Sequence, residues 1–171
     1  MALARKLKQM MVFNDGVSYA GLAKTVTLPK LTRKMESFRA GGMGGPVKVD
    51  LGFGDDGLQL EWTVGGLDLQ VIRQFGIPQA SGVMIRFAGS YQDDDSGDVV
   101  AVEVVVRGRH EEIDMGDAEP GEDTEHSIVT TCTYYKLIVN GRDEVEIDFM
   151  NMVEKIGGQD RMAAHRRAIG L

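Results

Sequence analysis

Between Val99 and Phe149 the chain carries two long runs of strand-forming residues, a tight turn and a short return, and any fold must accommodate them. From Val99, one register reads Val100, Val102, Val104, Val106 and the other reads Val99, Ala101, Glu103, Val105, Arg107, Arg109. A two-residue period of this kind predicts a strand with one dry face and one mixed face. The second run, His126 to Val139, is dense in Val, Ile, Thr and Tyr, which suit a pleated, half-buried surface. Asn140-Gly141 then predicts a type I′ hairpin, because that turn needs positive φ at both central residues. On the return, Val145, Ile147 and Phe149 alternate with Glu144, Glu146 and Asp148, which gives the strand an acidic flank. Strands of about a dozen residues reach about 40 Å. An open sheet of them leaves rows of unpaired N–H and C=O groups that must be covered or paired, so the edges are candidates for assembly.

At 171 residues and 43% apolar, the chain has the size and composition of a single domain spanning residues 1–171. A net charge of −7 argues against generic nucleic-acid affinity, which needs Lys and Arg to neutralise phosphates. The lone cysteine, Cys132, is expected as a buried thiol and suits a reducing compartment. Arg5, Lys6 and Lys8 precede a stretch too short and polar for a signal peptide, and no run approaches the roughly 20 apolar residues of a membrane helix. These features predict synthesis in the cytosol without a membrane anchor. Charge is unevenly spread. Residues 1–49 hold nine Lys/Arg against Asp15 and Glu36 (9 − 2 = +7), whereas residues 91–148 hold seventeen Asp/Glu against four Lys/Arg (4 − 17 = −13). A basic head and an acidic body suit docking of copies head to tail.

Asn14-Asp15-Gly16 between Met10–Phe13 and Val17–Ala20 predicts a second tight hairpin, and Lys24–Leu28 a strand ended by Pro29. Residues 31–57 combine Arg33, Lys34 and Arg39 with the tract Gly41-Gly42-Met43-Gly44-Gly45-Pro46 and then the alternating Val47, Lys48, Val49, Asp50, Leu51. This pattern predicts a long protruding hairpin arm with a glycine-rich tip. The candidate contact residues between subunits are Arg33, Lys34, Arg39 and Lys48, together with the tip residues Gly41, Gly42, Met43, Gly44 and Gly45. Leu58, Leu60 and Trp62 predict a strand. Asp68 is placed to cap a short helix over Leu69–Phe75 whose apolar stripe is Leu69, Ile72 and Phe75, with Val71, and Val83–Gln92 is another strand. A C-terminal helix is expected over 159–169 with Asp160 as its cap.

Chemistry-bearing motifs are weak throughout. Gly41–Gly45 is followed by Pro46 and Val47 rather than Lys-Ser/Thr, so it does not make a phosphate loop. Asp93-Asp94-Asp95-Ser96-Gly97-Asp98 misaligns with a calcium loop and reads as an acidic turn. His110-Glu111-Glu112 lacks metal-ligand spacing, and the three His lie far apart. No nucleophile–base pair points to an enzyme, and no cofactor or metal is expected. Only the basic first 49 residues and Arg166-Arg167 would favour a nucleic-acid-binding module.

Several ordered blocks resemble the major tail tube proteins of contractile-tailed phages and R-type tailocins. They are Met11–Gly16, Thr27–Lys34, the tract Phe38–Gly52, Ile85–Tyr91, Val106–Arg109, Gly121–Glu125, Val145–Asp148 and the end Arg166–Leu171. The resemblance implies a mainly β fold, two packed antiparallel sheets in a β-barrel-like sandwich with a flanking short helix. It further implies a homohexameric ring that stacks into the hollow inner tube of a contractile injection machine. Implied partners are other copies of the chain, the tail sheath, the baseplate and the tape-measure protein, with DNA only in transit and the virion tail or tailocin particle as the location. A type VI secretion-like tube and another tail subunit such as a terminator are the neighbouring possibilities. Within that picture Glu144, Glu146 and Asp148 are the candidates to face the lumen, where they would repel a phosphate backbone.

Overall fold

The two long runs form the spine of the molecule in a computed structural model that describes all of residues 1–171. In chain order the elements are β1 (Lys6–Asn14), β2 (Val17–Ser18), β3 (Ala23–Thr27), β4 (Arg33–Phe38), β5 (Val47–Phe53), β6 (Leu58–Val64) and α1 (Leu69–Gln74). There follow β7 (Val83–Gln92), β8 (Val99–Asp114), β9 (His126–Val139), β10 (Arg142–Asp148), β11 (Val153–Ile156), β12 (Gln159–Asp160) and α2 (Ala163–Ala168). All pairing is antiparallel. Both tight turns have positive φ at both central residues, Asp15 and Gly16 in one and Asn140 and Gly141 in the other.

The fold is mainly β with two antiparallel sheets, but they are divided otherwise than the sandwich expectation had it. Ten strands form one sheet in the order β12-β11-β10-β9-β8-β7-β1-β2, with β6 and β3 branching from β9, and the second sheet is the β4–β5 arm alone. The branch arises because β9 is long enough to serve two partners. Its residues His126–Cys132 pair with β6, and Tyr134–Val139 pair with β10. The core is therefore enclosed between two wings of one sheet, and no closed barrel forms within the chain.

Gly108 lies where β8 shifts register against β9, and a Cβ built there would come within 1.9 Å of the Thr131 carbonyl oxygen. Only glycine allows the two backbones to approach so closely. Leu58, Leu60, Trp62 and Val64 on β6 point into the core opposite Val12, Ile85, Phe87, Val104 and Val106. The Trp62 ring meets Tyr19 at 5.6 Å between centroids, joining one wing to the other.

Two helical expectations are corrected. Asp68 caps α1, accepting from the Gln70 amide at 3.2 Å, and of the expected apolar stripe Val71 is buried and Ile72 half-buried, but Leu69 and Phe75 are exposed. Polar groups replace the stripe because that end of the sheet is itself polar. Asn14 and Gln74 exchange side-chain hydrogen bonds at 2.8 Å, Gln70 donates to the Asn14 carbonyl, and Tyr19 donates to Gln70. At the C-terminus, Gln159–Asp160 pair with β11 and the helix starts only at Ala163, so Asp160 is not its cap. The Asp160 carboxylate instead accepts from the Met162 amide and pairs with Arg166, an interaction that fixes the helix to the preceding hairpin.

Candidate functional site

The arm is built from two strands that pair with each other and with nothing else. Directly opposed residues share a face of an antiparallel pair. Phe38 opposite Val47 and Glu36 opposite Val49 thus put Phe38, Val47 and Val49 together on one side, and all three are exposed. An isolated two-stranded hairpin is marginal in water unless its apolar face is covered. The tip, residues 39–46, holds the glycine tract, and a Cβ on Gly41, Gly42, Gly44 or Gly45 would meet open space. Met43 turns back on the tip, its sulfur 3.2 Å from the Ala40 amide.

The four basic candidates divide into two kinds. Arg33 and Lys34 are spent inside the chain. Arg33 pairs with Asp50 at 2.9 Å and with the nearly buried Glu154 at 2.7 Å, and its guanidinium lies 5.3 Å from the Phe53 ring centroid. The Phe53 ring packs edge-on to Phe149 at 5.0 Å, so the arm's root is clamped to the β10–β11 turn. The hydrogen bond from Arg33 holds the Asp50 carboxyl below the usual carboxylate range. Lys34 reaches Asp55 at 3.3 Å. Arg39 and Lys48, nearer the tip, are exposed and make no ion pair within the chain.

Glu144, Glu146 and Asp148 sit less uniformly than their alternation suggests. Glu144 lies in a bulge of β10, Glu146 is 3.8 Å from Lys136, and Asp148 accepts from the Met150 and Asn151 amides of the following turn. Register carries the row across the sheet as Glu146, Lys136, Val105, Arg86 and Phe13. Arg86 pairs with Glu103 and lies 4.7 Å from the Phe13 ring centroid. The face is mixed in charge, its carboxylates alternating with cations contributed by strands up to 60 residues distant in sequence, Arg86 and Glu146 being an example (146 − 86 = 60).

Sequence reasoning missed the buried polar network around His110. Its Nδ1 is 2.9 Å from Thr130 Oγ1, its Nε2 is 2.9 Å from Gln74 Oε1, and Trp62 donates to the same Thr130 hydroxyl at 3.3 Å. The amide oxygen can only accept, so Nε2 carries the proton and Nδ1 accepts from Thr130. Burial pushes the His110 pKa down to about 4 and the Cys132 thiol up to about 12. The signal available was parity, since His110 falls in the same dry register as Val104, Val106 and Gly108.

These surfaces describe a chain with a complete core and an incomplete appendage. Residues 4–170 match the family described as phage tail tube protein FII. The chain belongs to that family. It is 55% identical over 172 aligned positions to the tail tube protein of Escherichia phage P2, covering 100% of both chains. It is 38% identical to the major tail tube protein of Serratia phage KSP20, covering 94% of this chain and 92% of the relative. Among solved structures, a chain from the cryo-EM structure of the anti-feeding prophage baseplate shares the fold. It has a TM-score of 0.50 at 10% identity, with 75% of this chain and 90% of that one covered. The chain is thus a structural tail tube protein of phage type.

Proposed function

We propose that six copies of this chain close into a ring and that the rings stack head to tail into the hollow inner tube of a contractile tail, through which DNA passes. What carries the reading is the arm, a hairpin with an uncovered apolar face on a chain that matches the tube family from end to end. Such a face is stable only against a neighbour. The structure that shares the fold was symmetrised six-fold, which supports the ring. If each copy gave about four strands to a common wall, about 24 strands would enclose more than the 16 to 18 at which barrels already hold water-filled channels. The tube would lie within the sheath and meet the baseplate and tape-measure protein at its ends.

The face bearing Glu144, Glu146 and Asp148 is assigned to the bore. There Lys136 is held by Asp143 and Glu146, and Arg86 by Glu103, so a passing polyanion meets few cations able to grip it. A map of the assembled tube with those three carboxylates on its outer surface would remove this assignment. Electron microscopy of the purified chain tests the whole reading, with hollow tubes or six-membered rings expected and a dispersed monomer at all concentrations refuting it. Deleting Gly41 to Gly45 is expected to leave folded protein that no longer polymerises, and normal tubes from that deletion would take the arm out of the interface.

A further inference from the structure

Strand β6 joins two unlike ends of the body. At Leu58 it leaves the root of the arm, where the Gly54 amide bonds the Thr32 carbonyl at 3.0 Å, and at Val64 it leads into α1. A strand of this length separates its ends by about 20 Å. Each end carries large apolar side chains that nothing in the chain covers. On the arm they are Phe38 at 56% and Val47 at 54% exposure, with Val49 beside them, and at the α1 end they are Leu67 at 67% and Phe75 at 58%, with Leu69 beside them. Patches of this kind on a folded chain mark interaction sites.

Charge divides along the same axis. Residues 30–48 contain Lys30, Arg33, Lys34, Arg39 and Lys48 against Glu36 (5 − 1 = +4), whereas residues 114–125 contain six carboxylates and no Lys or Arg (−6). That acidic loop joins β8 to β9 and belongs to the α1 end, because its Asp123 and Glu125 both hold Lys24 at 2.9 Å, next to the Ala23–Val64 pair. Internal ion pairs consume Arg33 and Lys34 at one end and Asp123 and Glu125 at the other. What remains is Lys30, Arg39 and Lys48 with Glu36 at the arm, and Asp114, Asp117, Glu119 and Glu122 at the other end, all exposed and without an ion pair in the chain.

Complementary patches on different parts of one chain make a heterologous contact that propagates rather than closing as a two-fold dimer. We propose that the arm of one copy seats on the α1 end of a second copy. Phe38, Val47 and Val49 lie against Leu67, Leu69 and Phe75, while Arg39 at the tip, and Lys48 from the ribbon's other face opposite Ser37, reach the acidic loop between β8 and β9. This assignment rests on the tube reading and names the surface that receives the arm. It also accounts for the inverted face of α1, where glutamines hold the helix to its own sheet and leave its leucine and phenylalanine for a neighbour.

Charge exchange tests it in the full chain, with tube yield measured by sedimentation and electron microscopy and folding by circular dichroism. Arg39→Glu with Lys48→Glu, or Glu119→Lys with Glu122→Lys, should each lower tube yield at least about tenfold at low salt, and all four together should restore it. A loop variant that assembles like the unaltered chain, while the arm variant does not, overturns the seat and leaves the tube intact. A four-fold variant that fails to recover overturns it as well. Independently, Val49→Cys with Phe75→Cys should give a ladder of disulfide-linked multimers when tubes are oxidised, and tubes that form without a ladder refute the contact. Absence of tubes from the unaltered chain would instead remove the parent reading.

Discussion

The body and the arm use the same strand-forming residues to opposite ends. On β6, Leu58, Leu60, Trp62 and Val64 are each at most 2% exposed, whereas on the arm Phe38, Val47, Val49 and Leu51 are each at least 43% exposed. Both regions alternate apolar and polar residues, and local pattern cannot distinguish them. The difference lies in what stands opposite. β6 faces the β1–β7–β8 wing and buries its dry side on folding, and the arm has no facing layer. Where alternation occurs without a partner in the chain, it points to a partner outside it.

This contrast can be broken or sharpened by substitution. Gly108→Ala should have the largest effect, since its Cβ would overlap main-chain atoms of β9 that cannot rotate away. A loss of more than about 3 kcal/mol is expected, or about 6–12 °C in thermal midpoint, measured on the monomer by calorimetry. Leu60→Ala should cost about 2–5 kcal/mol in denaturant unfolding by leaving a cavity in the core.

Acid should act next through His110. Its pKa is lowered to about 4 in the folded chain from an ordinary 6.5, so the unfolded chain binds the proton first as pH falls. The stability it contributes is complete above pH 6.5 and is lost between there and pH 4, by about 3 kcal/mol in all. Asp50, Asp123 and Asp160 have pKa values lowered below their ordinary 3.8, so their losses fall at still lower pH, outside that window. Unfolding curves that do not change between pH 6.5 and 4.5 would contradict the network. Val49→Ala on the arm should sit at the other extreme, altering monomer stability by less than about 0.5 kcal/mol while reducing tube formation. A large stability loss there would mean the arm is covered by its own chain.

Much of this was legible in the sequence because it is local. The two hairpins follow from Asp15-Gly16 and Asn140-Gly141, the start of α1 from Asp68, and the arm's ribbon from residues 31–57. The illegible parts are those set by distant partners. That β9 serves both β6 and β10 depends on a register no single strand records. The turned face of α1 depends on Asn14, Tyr19 and His110, which are brought together only by the sheet. Arg33 falls in sequence among the arm's other cations, yet its partner Glu154 lies 121 residues away. The acidic row of β10 looked uniform because Lys136 and Arg86 come from other strands.

The clamp at Arg33 has a consequence for growth. With one guanidinium bridging Asp50 and Glu154 beside the edge-on Phe53 and Phe149 rings, the arm emerges from a stiff joint instead of a swivel. Its heading is fixed during folding, so in the proposed tube an incoming subunit would lose little further freedom on landing. Elongation of a polymer made this way is governed by how often copies collide in the right orientation, with no slow refolding step between one addition and the next.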